Sequence, residues 1–171
     1  MDTEIRLVYA TEEDVDAIVD MMTNIYGQME DQTWFFPDTA EDVRSFITDD
    51  GFGIKAMIGD EMAGFFFGYA PGTKRDNMGT YMKFDESNMM KVGHMETAMV
   101  DARFRGRGIQ KLLMEKAEET FKEMGCVHLL GTAHPDNIFS VNNFYKLGYR
   151  EVARELKYGG LLRSVFYKNQ E

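Results

Sequence analysis

The sequence predicts one α/β domain built on a mixed, mostly antiparallel sheet. Segments with alternating apolar residues recur along the chain, and apolar residues at helical spacing lie between several of them. Two pairs of strand-like segments are joined by short glycine-containing turns, which require antiparallel pairing. A strand, a helix and a strand also follow one another, which predicts one parallel crossover. The 171 residues suffice for a single core.

The first seventy residues predict a strand, two helices and a hairpin. Residues 5–10 (IRLVYA) are rich in β-formers, and the stretch TEED that follows them is typical of a capping box at a helix start. Residues 38–50 (DTAEDVRSFITDD) predict a second, shorter helix, and residues 52–70 predict a hairpin around GDE. We assign no structure to the polar segment 71–90, although loops of this length are often functional.

The second half of the chain supplies the crossover. Val92–Val100 predicts a strand, and from Ile109 onwards the apolar residues recur at helical spacing. A strand within residues 127–133, a helix within 136–147 and a hairpin within 149–168 follow. The predicted order is therefore β-α-α-β-β-β-α-β-α-β-β, with about seven strands and about four helices.

Composition and charge argue against several classes of function. The formal net charge of −10 does not suit a nucleic-acid-binding protein, which needs a basic face. There is no apolar run near the ~20 residues that cross a bilayer and no signal-peptide pattern, so we expect no membrane association. The lone Cys126 favours a reducing, cytoplasmic location. His94 and Glu96 share a strand face but lack a third ligand, so we expect no metal.

An arginine- and glycine-rich turn, RFRGRGIQ at residues 103–110, precedes the predicted third helix. Backbone N–H groups at a helix N-terminus are unpaired and carry partial positive charge. Glycines let a ligand approach the backbone closely, and arginine binds phosphate oxygens in a bidentate way. The turn is therefore a candidate pyrophosphate site, the alternative being a solvated turn whose arginines pair with acids. It is not the dinucleotide motif G-x-G-x-x-G, because Lys111 replaces the third glycine.

The run VDARFRGRGIQKLL resembles the acetyl-coenzyme A loop of the GNAT superfamily of N-acetyltransferases, with the pattern [QR]-x-x-G-x-[GA]. Arg103, Gly106 and Gly108 match this pattern literally. We prefer the register of Arg105, Gly108 and Gln110, because it places Leu113 and Met114 at the apolar helix positions of the family. In this register Gln110 stands where Gly or Ala is usual. The resemblance implies acetyl-CoA as co-substrate. The cofactor-binding residues that it implies in and before this loop are Ala98, Met99, Val100, Arg105, Gly106, Arg107, Gly108, Ile109, Gln110 and Lys111.

A second stretch, NIFSVNNFYKLGY at residues 137–149, is similar to the later helix of the same family, N-x-x-A-x-x-F-Y-x-K-x-G-F. The resemblance implies that Asn137, Ser140 and Phe144 line the groove for the pantetheine arm. The tyrosine that often protonates the departing thiolate falls on Phe144, which leaves Tyr145, about 100° further round the helix. The alternatives are that the proton comes from water or substrate and that both aromatic residues serve core packing.

The resemblance implies a single GNAT-like domain over residues 1–171, with a sheet that splays between its fourth and fifth strands. It also implies transfer of an acetyl group from acetyl-CoA to a primary amine by direct attack in a ternary complex. Our candidate base is Glu96, because partial desolvation just before the acetyl site would raise its pKa. His134 is a candidate proton relay and Tyr145 a candidate acid.

The acceptor is not fixed by the sequence, and both a small-molecule amine and a peptide amine suit it. The aromatic residues Trp34, Phe35 and Phe36, with the neighbouring acids Glu30 and Asp31, are candidates for binding an amine. A non-catalytic acyl-CoA-binding domain of the same fold is the alternative function. The resemblance also allows a homodimer through the C-terminal strands.

Overall fold

The computed structural model describes residues 3–171, which form one seven-stranded sheet covered by helices. The strands are β1 (Ile5–Tyr9), β2 (Gly51–Ile58), β3 (Glu61–Tyr69), β4 (Val92–Val100), β5 (His128–Ala133), β6 (Arg150–Lys157) and β7 (Leu161–Asn169). The α-helices are α1 (Val15–Gln28), α2 (Ala40–Thr48), α3 (Glu86–Met89), α4 (Ile109–Glu123) and α5 (Ile138–Lys146). The strand order is β1-β2-β3-β4-β5-β7-β6. Only β4 and β5 pair in parallel, so the predicted mixed, mostly antiparallel sheet is confirmed.

Helices α1 and α2 lie on one face of the sheet, and a capping box stands at or just before the start of each. The backbone N–H of Thr11 donates to Asp14 Oδ2 at 2.8 Å, just ahead of α1. At the start of α2, the Thr39 N–H donates to Asp42 Oδ2 at 2.9 Å, and the Asp42 N–H donates to Thr39 Oγ1 at 3.1 Å. The apolar sides of both helices then pack against Phe65 and its neighbours on β3. These two helices thus cover the first half of the sheet, as their amphipathic spacing predicts.

On the opposite face, α4 and α5 pack around aromatic residues. Phe144 of α5 stacks on Phe166 of β7 with ring centroids 4.6 Å apart. A Cβ on Gly131 of β5 would lie 2.7 Å from the Phe144 ring, so this close approach requires glycine. Phe121 of α4 belongs to the same buried cluster. Packing of this kind fixes the position of α5 relative to the end of β5.

The sheet splays between β4 and β5. The two strands pair only over residues 92–95 and 128–131, and beyond these β4 stays with β3 while β5 stays with β7. Next to this point β4 contains a bulge, because Met95 pairs with Gly68 and Thr97 pairs with Phe67. Glu96 is therefore the extra residue, and such bulges redirect side chains. The splay that the resemblance implied is confirmed, and it opens a cleft in the middle of the sheet.

The segment 71–90 is organised around the buried side chain of Asn77, which is 1% exposed. Its Nδ2 donates to the carbonyl oxygens of Gly72 and Met89 at 2.9 and 3.0 Å, and its Oδ1 accepts from the Gly79 N–H at 2.8 Å. Met78 packs beside the middle of the sheet. The segment includes the single-turn helix α3, which is why five helices are found where about four were expected. Among residues 3–171, no helix is both long and apolar enough to cross a membrane.

Candidate active site

A cavity of ≈ 280 Å³ lies where β4 and β5 separate. It is bounded by the two diverging strands, the first turns of α4 and α5, and the segments around residues 34–42 and 158–163. Six of the predicted catalytic and cofactor-binding residues line it, namely Glu96, Ala98, Gln110, Asn137, Ser140 and Phe144. Thr132 of β5 lines the opposite side of the cleft from β4. The predicted base and the predicted groove are therefore brought together.

Glu96 enters the cavity from the bulge of β4. Its side chain is 25% exposed. Burial, helped by the negative charges of Asp38 and Asp76 and opposed by the positive charge of Lys157, raises its pKa to about 7. A carboxylate with this pKa can accept a proton near neutral pH and release it again.

His94 stands beside Glu96 on the same strand and is 3% exposed. Its Nε2 accepts the backbone N–H of Met78 at 2.9 Å, so in the neutral ring the proton is on Nδ1. Burial lowers its pKa to about 3 and keeps the ring neutral. Nδ1 lies 3.7 Å from Glu96 Oε2, which is too long for a hydrogen bond. The Nδ1–H group is nevertheless the part of the ring that lies near the carboxylate.

Further acidic and aromatic side chains line the cavity on the side of α2. Asp38 Oδ2 accepts a hydrogen bond of 3.0 Å from Thr97 Oγ1. Burial raises the pKa of Asp38 to about 6, and the charge of Asp42 acts in the same direction. The predicted aromatic residues Trp34, Phe35 and Phe36 also line the cavity. Sequence reasoning missed Asp38, although its place two residues after the aromatic run was a usable signal.

Tyr158, in the turn between β6 and β7, is a cavity residue that sequence reasoning also missed. It has φ of 52°, a left-handed conformation that is rare for a tyrosine. Its hydroxyl is 3.4 Å from Thr132 Oγ1, and its ring stacks on Phe36 with centroids 5.5 Å apart. Although 41% of the residue is exposed, desolvation on the cavity side raises its pKa, so the hydroxyl keeps its proton at neutral pH. Backbone strain that persists at a cavity is typical of functional positions.

Two predicted catalytic residues lie outside the cavity lining. Tyr145 is 51% exposed, and the edge of its ring packs on Phe166. Because neighbouring helix residues point about 100° apart, burying Phe144 in the core turns Tyr145 outwards. His134 stacks on Trp34 at 5.8 Å, and its Nδ1 accepts the Asp136 N–H at 3.1 Å. The structure therefore does not bring either side chain to Glu96.

The glycine-rich loop has the conformation of an anion cradle. Gly106 and Gly108 have φ of 81° and 73°, and Gly108 is the N-cap of α4. The first N–H groups of a helix, here residues 109–111, have no intrahelical acceptor. Arg103 pairs with Asp101 at 3.2 Å and with Glu61 at 3.4 Å. Within residues 3–171, Arg105 and Arg107 form no ion pair within 4.0 Å, so both are available to an anion.

Gln110, the departure from the family pattern, bridges the two helices of the groove. Its Nε2 donates to Ser140 Oγ at 3.1 Å, and its Oε1 accepts from Asn143 Nδ2 at 3.0 Å. A glycine or alanine would leave both α5 side chains without this partner. The Oδ1 of Asn137 accepts the Ser140 N–H at 3.4 Å and caps α5. Gln110 thus ties the start of α4 to the first two turns of α5.

Four more of the predicted cofactor-binding residues, Met99, Val100, Ile109 and Lys111, are not among the residues that line the cavity. Met99 is buried in the cluster under α1 and α2, and Val100 pairs with Gly64 of β3. Ile109 is buried beneath α4, and Lys111 pairs with Glu115 one turn along the helix at 3.3 Å. Among the described residues, no group of three or more His, Cys, Asp or Glu side chains is placed to hold a metal ion.

A glycine-rich loop at the start of α4 thus lies beside the cleft between the diverging strands β4 and β5. The sequence profile of the Acetyltransferase (GNAT) family matches residues 19–149 of this chain. The chain belongs to the GNAT family of acetyltransferases. None of the curated proteins matches its sequence.

Solved structures share the fold along the whole chain. An acetyltransferase of the GNAT family from Streptococcus pneumoniae is 16% identical with a TM-score of 0.75, over 98% of this chain and 100% of that one. Arabidopsis thaliana NAA60 in complex with acetyl-CoA is 15% identical with a TM-score of 0.77, over 97% and 98%. Aminoglycoside acetyltransferase AAC(6')-Ib in complex with coenzyme A and kanamycin is 15% identical with a TM-score of 0.71, over 98% and 95%. These likenesses confirm the fold.

Proposed function

We propose that this protein transfers an acetyl group from acetyl-CoA to a primary amine, by direct attack of the amine in a ternary complex. The observation that carries the proposal is the position of Glu96. It is the bulge residue at the point where β4 and β5 diverge, it lines the cavity there, and its pKa is raised to about 7. A carboxylate in this position is suited to removing a proton from an ammonium group.

The residues that would hold acetyl-CoA fit its chemistry. Arg105, Arg107 and the backbone N–H groups of residues 109–111 offer positive charge and donors to a pyrophosphate. The separated edges of β4 and β5 leave backbone groups for the amides of the pantetheine arm, and Asn137 and Ser140 line that cleft. The co-substrate supplies an activated acetyl thioester.

The protons balance through residues of the cavity. The acceptor enters as an ammonium, and Glu96 takes one of its protons and later releases it to solvent. The amine nitrogen forms the new C–N bond as the C–S bond breaks. Backbone N–H groups of residues 98–100 stabilise the negative charge on the carbonyl oxygen. The nitrogen loses a second proton, which ends on the coenzyme A sulfur as a thiol.

Tyr158 replaces Tyr145 as the group that we propose to deliver a proton to the sulfur. It lines the cavity, is held in its protonated form and lies within reach of Thr132. Tyr158 gives its proton to the sulfur as the C–S bond breaks and takes up the second proton of the amine nitrogen, so the phenol is neutral again after each turnover. The alternative donor is water, and the variant Tyr158→Phe distinguishes the two.

We also propose a cytoplasmic enzyme that has no nucleic-acid or membrane partner. The net charge of −10 and the single reduced Cys126, which is buried, support this. The acceptor belongs to the small-molecule or peptide amines. The edge strand β6 is the surface through which we propose that a homodimer would pair.

The test of the proposed function combines binding and turnover. Acetyl-CoA should raise the melting temperature, and a panel of amines should release free coenzyme A thiol. Glu96→Gln should lower kcat by about 10²–10⁴-fold. Glu119→Gln is the matched control, because Glu119 is an exposed carboxylate on α4 that pairs with Lys116. Acetyl-CoA binding without transfer to any amine would support the non-catalytic alternative instead.

A further inference from the structure

Arg163 of β7 is a buried cation in the wall of the same cavity. It is 3% exposed and lines the cavity. Its Nη1 donates to the carbonyl oxygens of Thr33 and Leu162 at 2.9 and 2.7 Å. These bonds hold the segment that carries Trp34 against β7, and they occupy two of the five N–H donors of the guanidinium.

The charge of Arg163 has no counter-ion in the described part of the chain. Across residues 3–171, no carboxylate oxygen lies within 4.0 Å of its guanidinium, and its Nε and Nη2 form no hydrogen bond with the protein. The ring of Tyr158 faces it, 5.7 Å from its central carbon. Buried charges in proteins are almost always paired, because an unpaired one loses its hydration without compensation. The missing partner is therefore expected to be an anion that binds in the cavity.

The same wall has a second donor without an acceptor. The indole Nε1 of Trp34 is buried and has no hydrogen-bond partner. Trp34 follows Thr33, the residue whose carbonyl oxygen Arg163 holds. Buried polar atoms are rarely left unpaired, so the Trp34 N–H lacks the partner that such groups usually have.

The same cavity also has negatively charged residues in its wall. Glu96, Asp38 and Asp42 all line it, and none of them is within ion-pair distance of Arg163. The cavity lining therefore contains carboxylates, among them the proposed base, and a guanidinium that is not paired with any of them. Such a combination of charges complements a ligand that carries an amine and an anion a short distance apart.

We infer that the acceptor is a free amino acid, whose carboxylate pairs with Arg163 while its amine faces Glu96. This inference rests on the proposed acetyltransferase function. A guanidinium matches a carboxylate in a bidentate way. The cavity of ≈ 280 Å³ is also slightly smaller than the ~300–1,000 Å³ usual for ligand sites, which favours a small acceptor. The N-terminus of a protein and a polyamine both lack a carboxylate next to the amine.

The experiment compares each standard L-amino acid with its primary amide, which keeps the amine and side chain but removes the negative charge. Thiol release is measured at saturating acetyl-CoA. At least one amino acid should have a kcat/KM at least about tenfold above that of its amide, because the amide leaves Arg163 unpaired. Arg163→Gln should raise KM for that amino acid by about tenfold or more and change KM for the amide by much less, so that the preference for the acid is lost while the KM for acetyl-CoA is unchanged.

The control is Arg154→Gln, because Arg154 is an exposed arginine on β6 that pairs with Glu151 at 2.8 Å. Arg163→Lys serves if the glutamine variant does not fold, and it should keep charge but lose part of the preference. Amides used as fast as acids, no turnover of any amino acid, or a preference unchanged in a folded Arg163 variant would each overturn the inference. Transfer to spermidine or benzylamine in those cases would leave the proposed function standing. A protein that neither binds acetyl-CoA nor acetylates any amine would contradict both.

Discussion

His94 Nδ1 lies 3.7 Å from Glu96 Oε2, while the other ring nitrogen of His94 accepts the backbone N–H of Met78 at 2.9 Å. The second contact fixes the tautomer, so the first presents an N–H to the carboxylate. Met78 belongs to the segment that Asn77 organises. The polar stretch 71–90, whose structure the sequence did not indicate, therefore supports the histidine next to the proposed base.

Replacing His94 should change the proton affinity of Glu96. In His94→Phe the carboxylate loses the N–H dipole that favours its charged form, so its pKa should rise by about one unit or less. The acid limb of the pH profile of kcat/KM should move upwards by that amount. The variant should also lose about 1–3 kcal/mol of stability, because the Met78 N–H is left buried without an acceptor.

The comparison variant is His134→Phe, which tests the relay role predicted for His134. His134 stacks on Trp34 outside the cavity lining, so this variant should leave the acid limb in place. If the acid limb of the kcat/KM profile moved in His134→Phe and stayed in place in His94→Phe, His134 rather than His94 would be the histidine that influences Glu96.

Glu96 should lower the stability of the protein at high pH. Its pKa is about 7 in the folded state against 4.5 ordinarily, so between these values the folded state binds the extra proton. Stability is then lost as pH rises from about 4.5 to 7, by up to about 3 kcal/mol. Glu96→Gln should match the native protein near pH 4.5 and exceed it above pH 7. Thermal melts across this range measure the difference, and equal melting curves at pH 8 would contradict the raised pKa.

The two tyrosines give a matched pair of variants. Tyr158→Phe removes the hydroxyl in the cavity and should lower kcat by about 10²-fold, if its phenol delivers the proton to sulfur. Tyr145→Phe removes a hydroxyl at a position 51% exposed and should leave kcat unchanged. Steady-state rates at saturating substrates measure both. Equal, near-native rates in the two variants would assign the proton to water.

The arginines of the loop should differ in their effect on acetyl-CoA. Arg105→Ala with Arg107→Ala removes two charges that have no ion-pair partner among residues 3–171, and should weaken binding by about 10²-fold. Arg103→Ala should have little effect, because Arg103 already pairs with Asp101 and Glu61. Titration calorimetry with acetyl-CoA at two salt concentrations measures these affinities. A stronger effect of Arg103 would favour the literal register of the loop motif.

Local patterns predicted the elements well because each depends on neighbouring residues. The bounds of β4 and the start of α4 coincide with the predicted ones, and the capping box predicted at TEED forms. The segment 71–90 escaped prediction, since its structure depends on the side chain of Asn77 and on packing against the sheet. Such contacts leave no periodic signal in the sequence.

The cavity was harder to predict, because its walls come from elements far apart in the chain. The motifs located Gln110, Asn137 and Ser140, and the strand position located Glu96. Nothing local marked Tyr158 or Arg163, which a hairpin brings to the cleft from the C-terminal end of the chain. Tyr145 was predicted from a motif but does not line the cavity, because the helix geometry turns it towards solvent once Phe144 is buried.

The central claim, that Glu96 is the base of an acetyltransferase, is tested most directly by the pH dependence of kcat/KM in the native protein and in Glu96→Gln. With acetyl-CoA saturating, the native protein should show an acid limb near pH 7, matching the pKa of about 7. In Glu96→Gln this limb should disappear and the plateau should fall by about 10²-fold or more, while any limb from the ammonium of the acceptor persists. A variant that keeps both the rate and the limb near pH 7 would contradict the account.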